Sequence, residues 1–373
     1  MVKYTFMALK NVIGQDRAMS ILLRTLERAR VPSAYLFAGE SGIGKKFAAL
    51  NLAKALNCLK TVTSNELEVT SESQVPDRGA DASLVTGHRL PVDACDGCPS
   101  CEKINAMTHP DLVVIAPEKG EIRVGEIRAV EEALSFKPFE GKRKVVIIDD
   151  ADAMNPSAAN AFLKTLEEPP DESLLILITA HPDRLPETIR SRCCRLNFVP
   201  LSPEACGEVI RGVLSRDKKG GEDMERGLSL LVRLSMGRPG LALSSDMERE
   251  RERFLGLFRS MLHGEGETWA DREEMEKWLD MAFLLLRDMA VLKIAEGTCS
   301  ESLPAGRASC DALLLNADIK DLVSEMTKTT DITGIMNIYD KISVLKGQMG
   351  FNLNKAITWN YTASVVRSVM GSQ

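Results

Sequence analysis

Ala34-Tyr35-Leu36-Phe37-Ala38-Gly39-Glu40-Ser41-Gly42-Ile43-Gly44-Lys45-Lys46 is the stretch on which the fold turns. Its first five residues form an apolar run of strand length, the glycines and lysine spell G-x4-G-K, and Phe47 to Asn57 reads as a helix. Strand, glycine-rich turn and helix in this order are the setting a phosphate loop requires. Glycines let the backbone turn its N–H groups inward around phosphate oxygens, the helix start adds its dipole, and Lys45 reaches the terminal phosphates. Gly39, Gly42, Gly44, Lys45 and Lys46 are therefore the candidate phosphate-binding residues. Lys46 departs from the working pattern: Ser or Thr there puts a hydroxyl on Mg²⁺, and an ammonium cannot ligate a cation. That argues against metal-dependent hydrolysis at this loop.

Working outward, further short apolar runs alternate with helical patterns: Leu112 to Ile115, Val145 to Ile148, Leu174 to Ile178 and Arg195 to Phe198. Strands that alternate with helices predict an α/β fold with a parallel sheet covered on both faces. The third run ends in Asp149-Asp150, the form of a Walker B segment, with Asp149 placed to hold Mg²⁺ directly or through water. Asp150 stands where hydrolytic ATPases of this type usually carry Glu, and one methylene less misplaces a base that orients water. Beyond Pro200 the strand signals stop, and helix-period segments separated by polar loops such as Asp217 to Asp223 predict an all-helical remainder. The run Glu248-Arg249-Glu250-Arg251-Glu252-Arg253 reads as an exposed helix or connector.

The nine cysteines are an odd number in a chain whose first residues show no apolar signal core. Cys95, Cys98 and Cys101 recur at two-residue intervals, and Cys58, at the end of the helix after the loop, is the natural fourth. Four thiolates make a closed tetrahedral site for structural zinc. An iron–sulfur cluster uses the same C-x2-C-x2-C spacing, and free thiols are the third reading. Cys193, Cys194, Cys206, Cys299 and Cys310 are scattered and read as buried or idle thiols. Residues 59–94 are rich in Ser, Thr, Glu, Asp and Gly and carry net negative charge, the composition of a mobile insertion.

Length and charge bound the rest. At 373 residues two or three domains are expected. The 47 basic and 53 acidic side chains leave a net charge of −6, so no chain-wide basic field exists to bind nucleic acid. A zinc-containing nucleic-acid module would need basic or aromatic residues around the cysteines, and the insertion there is acidic. No apolar run approaches the ~18 residues of a membrane span, and a cytoplasmic protein without a membrane partner is expected.

Several stretches together resemble one family, the bacterial clamp-loader AAA+ subunits of DNA polymerase III, and within it the delta-prime branch. They are Val12-Ile13-Gly14-Gln15, Ala34 to Gly39, Leu56-Asn57-Cys58 with the three-cysteine cluster, His109-Pro110-Asp111, Asn160 to Pro170 and Ser191-Arg192-Cys193. The resemblance covers about residues 1–245; Asn352-Leu353-Asn354 adds a weaker signature of the family's C-terminal helices. It implies a RecA-like AAA+ domain over 1–198, interrupted by a zinc module at about 58–105, then a helical lid over 199–245 and a helical collar over 255–373 that joins five subunits. Implied partners are the gamma/tau and delta subunits, with the sliding clamp and primed DNA reached through the complex. Ser191-Arg192-Cys193 then gains a role: in the family its arginine enters the neighbouring subunit's nucleotide site and stabilises charge on the transferring phosphoryl group.

Departures from the family's motor subunits matter as much. Lys46 replaces Thr, Asp150 replaces Glu, Gly240 falls where the lid arginine belongs with Arg238 two positions away, and Ala180 falls on the polar sensor position with Thr179 beside it. Four positions unsuited to hydrolysis beside a retained Arg192 are the pattern of a stator that completes a neighbour's site without ATPase or polymerase activity of its own. The alternative, an active gamma/tau-type ATPase, requires a hydroxyl at 46 and a lid arginine. For nucleotide at the loop two readings stay open: no tight ATP binding, which is preferred, and phosphates held without metal, Lys46 supplying the cation's charge.

Overall fold

The three inner strands of the sheet are buried on both faces, because helices cover both, whereas the last strand buries only Leu196. In the computed structural model, which describes residues 8–60, 93–118, 120–214, 222–244, 247–264, 268–298, 313–350 and 353–370, the strands are β1 (Ala34–Ala38), β2 (Leu112–Ile115), β3 (Lys144–Ile148), β4 (Ser173–Thr179) and β5 (Cys194–Asn197). They pair in parallel in the order β2-β3-β4-β1-β5. Tyr35, Phe37, Val145, Ile147, Leu174, Ile176 and Leu196 join one core, and Leu36, Val146, Ile148, Leu175 and Leu177 the other. This alternation is the mark of a parallel sheet between helical layers. The expected α/β AAA+ fold is thus observed, each strand lying within one residue of its predicted span.

Two compact units hold the described residues, Met1–Arg216 with Gly237–Gly240 and Asp217–Met236 with Leu241–Gln373. In the first, α1 (Asp16–Glu27), α2 (Lys45–Asn57), α3 (Pro99–Asn105), α4 (Val124–Leu134), α5 (Pro156–Glu167), α6 (Glu187–Arg190) and α7 (Pro203–Leu214) flank or follow the sheet. Because the strands are parallel, each crossover helix returns the chain to their amino ends. The phosphate loop, Asp149 and Thr179 therefore lie at the carboxyl edge of the sheet. The end of α2 with Cys58, the turn His109-Pro110-Asp111 and the loop before β3 lie at the amino edge.

In the second unit the described residues are helical, including Glu222–Ser235, Met247–His263, Arg272–Thr298, Lys320–Thr329, Ile332–Gly347 and Lys355–Met370. Glu222 and Asp223, read from sequence as loop, begin the first of these helices; residues 217–221 lie outside the described residues, as do 61–92 of the insertion, Cys299, Cys310 and Asn352. All three tryptophans meet in its core, Trp269 lying edge-on to Trp359 at 5.1 Å and to Trp278 at 6.1 Å between ring centroids. The charged run at 248–253 is not wholly a solvated face. Arg251 is 5% exposed and pairs with Asp318 through Nε (2.9 Å) and Nη2 (2.7 Å), while its Nη1 reaches Asn316 (2.7 Å). Asp288, fully buried, accepts from the Asn316 backbone and side chain, both at 2.7 Å, and so anchors the chain before the helix at 320.

Candidate functional site

The loop between β1 and α2 takes the shape its glycines allow. Gly39, Gly42 and Gly44 have φ of 151°, 82° and 95°, values that favour glycine. A Cβ at Gly39 would lie 2.5 Å from the Phe198 carbonyl oxygen, so the close approach to the end of β5 also demands glycine. The Gly39 N–H donates to the Thr179 carbonyl (3.2 Å), tying the loop to β4. Gly240 N–H donates to the Gly42 carbonyl (2.8 Å), and a Cβ at Gly240 would lie 2.9 Å from the Gly42 Cα and oxygen. The position that aligns with the lid arginine thus has no room for any side chain. Arg238 lies beside the loop, 3.5 Å from the Glu40 carboxylate.

The charges at this edge are neutralised by the chain itself. Lys45 is buried, and its Nζ donates to the carbonyls of Gly39 (2.5 Å) and Glu40 (2.6 Å). Burial lowers its pKa, opposed by the charges of Asp150 and Asp149. Lys46 Nζ lies 3.0 Å from Asp149 Oδ2. Asp150 takes the left-handed conformation (φ 47°), and burial, with the charges of Asp149 and Asp152 added, pushes its carboxyl above the ordinary range. The hydroxyl at the end of β4 belongs to Thr179, fully buried, which donates to Asp152 (2.5 Å) and accepts from the His181 N–H (2.9 Å). Ala180 lies one residue past the strand and brings no polar group. The Mg²⁺ that the fold implies for such a loop does not fit these residues, because the acid that would hold it faces an ammonium at contact distance and no hydroxyl stands at 46.

Arg192 stands apart from this loop. It precedes β5, whose first residue pairs with Tyr35 at the start of β1, so it belongs to the amino edge. The side chain is partly exposed. Nη2 donates to Glu167 Oε1 (2.6 Å) at the end of α5, and Nη1 to the Thr188 carbonyl (2.9 Å) in α6. Two of five guanidinium N–H groups are spent and three are left for an anion.

At the same edge the four predicted thiols converge. The Sγ atoms of Cys58, Cys95, Cys98 and Cys101 lie within 4.8 Å of one another, with Cys58 and Cys98 at 4.0 Å. A tetrahedron with bonds of ~2.3 Å needs sulfurs about 3.8 Å apart, so the donor set fits one metal ion. Cys58 ends α2, and Cys98 and Cys101 lie at the start of α3, whose dipole favours thiolates. Burial opposes the Cys98 thiolate, but the N–H groups of Cys101 and Leu59 outweigh it and bring the thiol to about 6; burial raises Cys58 and Cys101. Buried Lys54 clamps the cluster's loop through Asp96 (2.5 Å), and Asp93 accepts from the N–H groups of Leu9 (2.9 Å) and Lys10 (3.0 Å).

Two motifs quoted from the sequence support this edge. Asp111 is fully buried and accepts from the N–H groups of Phe139 (2.6 Å), Glu140 (2.9 Å) and Gly141 (2.7 Å). Asn57 Oδ1 accepts from Lys142 N (2.8 Å) and Arg143 N (2.9 Å). A Cβ on Gly141 would lie 2.7 Å from that oxygen. Sequence reasoning missed Glu167 as the partner of Arg192, although Glu167 stands in the quoted stretch 160–170, and missed Lys46 as the partner of Asp149.

A five-stranded parallel sheet with a phosphate loop after β1, paired acids after β3 and a surface arginine before β5 defines a P-loop domain of the AAA+ class. Comparison with known proteins narrows this. The family model described as DNA polymerase III, delta subunit, matches residues 14–86 and 80–202. The chain is 30% identical over 291 residues to the DNA polymerase III subunit delta' of Bacillus subtilis (strain 168), covering 75% of this chain and 78% of that one. It is 41% identical over 160 residues to subunit delta' of Escherichia coli (strain K12), 42% of this chain and 45% of that one. It is 30% identical over 234 residues to subunit tau of the same organism, 63% of this chain and 32% of that one. The chain belongs to the delta-prime family of DNA polymerase III clamp-loader subunits. Among the described residues no helix is long and apolar enough to cross a membrane.

Proposed function

We propose that this chain is the stator of the clamp loader: it completes a neighbouring ATPase site with Arg192 and hydrolyses no ATP at its own loop. The observation that carries the reading is the Lys46–Asp149 ion pair at 3.0 Å, which places an ammonium on the acid a catalytic metal would need. Gly240, packed on Gly42, leaves no place for a lid arginine, and Asp150 is held in a strained turn with a raised pKa. The tau-type alternative is disfavoured by the same three features. Arg192 is the opposite case, a permanently charged fork on the surface with three donors free for a phosphoryl group presented by another subunit.

The partners in this reading are the gamma/tau and delta subunits, with the clamp and primed DNA engaged through the assembly. Residues 1–198 form its AAA+ domain, 199–245 its lid and 255–373 its collar. Zinc in the four-cysteine site is structural, since four sulfurs leave no open position for chemistry; metal analysis of protein purified without chelator should find one zinc per chain. The deciding experiment is clamp- and primer-stimulated ATP turnover by the motor subunits with this chain, with its Arg192→Ala variant, and by this chain alone. The variant should lose about 10³-fold, the scale of an arginine finger, and the lone chain should be silent. Unchanged turnover with the variant, or vigorous hydrolysis by the lone chain, overturns the stator.

A further inference from the structure

We propose that the loop between α4 and β3, residues 135–143, is a contact for single-stranded nucleic acid. Phe136 and Phe139 are its stacking faces for unpaired bases, and Lys137, Lys142 and Arg143 are its cations for the strand's phosphates. The site is separate from the phosphate loop and from the Arg192 turn, and its ligand needs neither.

Among the described residues of the first unit, Phe139 and Phe136 are the two most exposed large apolar side chains, at 85% and 66%. The backbone that carries them is pinned. Asp111 accepts from the N–H groups of Phe139, Glu140 and Gly141, and Asn57 from those of Lys142 and Arg143. Buried Lys144 donates to the Phe136 carbonyl (3.0 Å), and its Nζ lies 6.0 Å from the centroid of the Phe136 ring. Three buried polar side chains thus hold two rings out in water, a platform already ordered before anything binds, which lowers the cost of binding. Cations are interleaved with the rings. Lys137 is exposed, Arg143 is half-buried, and Lys142 spends one of its three donors on the Cys58 carbonyl (3.1 Å). The single acid of the loop, Glu140, is neutralised by Lys103 (2.7 Å). The net charge of −6 excludes a chain-wide basic field but not this local one. The acidic insertion gives the cysteines no basic or aromatic neighbours in sequence; the fold brings them from residues 136–143, with Lys142 resting on Cys58. Lysine is depleted from the cores of protein–protein interfaces, whereas rings set among lysines and arginines are what a sequence-tolerant single strand stacks on. A duplex keeps its base faces covered, so the fit is to an unpaired strand.

The test is the fluorescence anisotropy of an end-labelled oligothymidylate of about 20 nucleotides, titrated with the full chain in the absence of ATP. Binding should fall on the order of 10⁻⁵–10⁻⁴ M at physiological salt. Phe139→Ala should weaken it by about tenfold and Phe136→Ala by about fivefold, the scale of one lost base stack. Lys137→Ala should weaken it by about threefold and reduce the slope of log affinity against log salt by about 0.7, the share of one phosphate. A strand of the same length without bases should bind about tenfold more weakly than oligothymidylate and should not tell Phe139→Ala from wild type, and a duplex of that length should also be weaker. Oligothymidylate binding that Phe139→Ala leaves unchanged, a baseless strand or a duplex bound as tightly, or no binding at about 1 mM chain overturns the site. So does polyglutamate that binds more tightly than the strand and is weakened by Phe139→Ala, which would identify a dock for an acidic protein. The Phe139 ring stands almost wholly in water, so its removal leaves the core intact, and a matching unfolding temperature establishes that the variant is folded. With no ATP present and Arg192 untouched, these titrations stand or fall separately from the turnover measurement.

Discussion

The two edges of one sheet treat charge in opposite ways. At the carboxyl edge the chain neutralises itself: Lys46 sits on Asp149, Lys45 on loop carbonyls, and Gly240 fills the space of an absent arginine. At the amino edge Arg192, before the outer strand β5, is left with three donors unspent, while before the opposite outer strand β2 Asp111 ties down three N–H groups. On the proposed reading the pairing of Lys46 with Asp149 takes the place of a metal, whereas Arg192, paired with Glu167 through one N–H, keeps three donors for a neighbouring subunit. If the proposed stator reading holds, the same fold has lost one activity and kept the half of another that works across an interface.

The contrast breaks most severely if the amino edge loses its rigidity. Cys98→Ser removes one of four thiolates, and, with zinc held there as proposed, its loss should cost on the order of 4 kcal/mol, the far tail of single-substitution effects. Thermal unfolding should fall together with zinc content, while the Arg192 contacts, made by α5 and α6, persist. A variant that lost zinc but kept wild-type stability would show the cluster to be dispensable.

Asp111→Ala tests the same edge without touching sulfur. Three N–H groups lose their acceptor, and the cost should be about 3 kcal/mol in chemical denaturation. Burial pushes the Asp111 carboxyl up, but the N–H groups of Phe139, Gly141 and Glu140 outweigh it and hold the pKa below the ordinary value. A depressed folded pKa means that the stabilisation is complete above the unfolded value of about 3.9 and is lost as pH falls through the folded one. The gap between wild type and Asp111→Ala should therefore be constant near neutrality and close on acidification. A gap that widened in acid would contradict this assignment.

At the carboxyl edge the sharpest probe is Gly240→Ala. Its methyl would lie 2.9 Å from the Gly42 backbone, which cannot swing aside as a side chain can, so about 2 kcal/mol should be lost. An unchanged unfolding temperature would mean that the loop yields and that a lid side chain is excluded by something other than space.

The inner strands were legible because parallel strands buried on both faces read as uninterrupted apolar runs, and 34–38 followed by G-x4-G-K marked the strand that carries the phosphate loop; the strand order β2-β3-β4-β1-β5 was not legible, because it depends on pairings between distant segments. The thiols were legible because ligand spacing is local for three of them. Pairings between distant segments were not: nothing in Lys46 or Asp149 alone says that they meet, and Gly240 resembled a missing arginine until its packing on Gly42 was seen. The alternating charges of 248–253 concealed a buried Arg251, because a sign pattern does not reveal which residue turns inward. Thr179 and Ala180 differ by one position, within the uncertainty of any strand boundary read by eye.

The finest distinction concerns what holds Arg192. Glu167 and the Thr188 carbonyl grip it from two elements, α5 and α6, which fixes the plane of the guanidinium. The pair with Glu167 is partly exposed and is worth at most about 1 kcal/mol, so a phosphate on a neighbouring subunit can compete for the arginine. Glu167→Gln keeps an acceptor and removes the charge; stimulated turnover should fall only about two- to fivefold, in kcat rather than in KM, because the orientation matters when charge develops on the transferring group. A loss as large as that of Arg192→Ala would make Glu167 a structural prop for the whole turn. A rise in turnover would mean that the carboxylate restrains the arginine instead of aiming it.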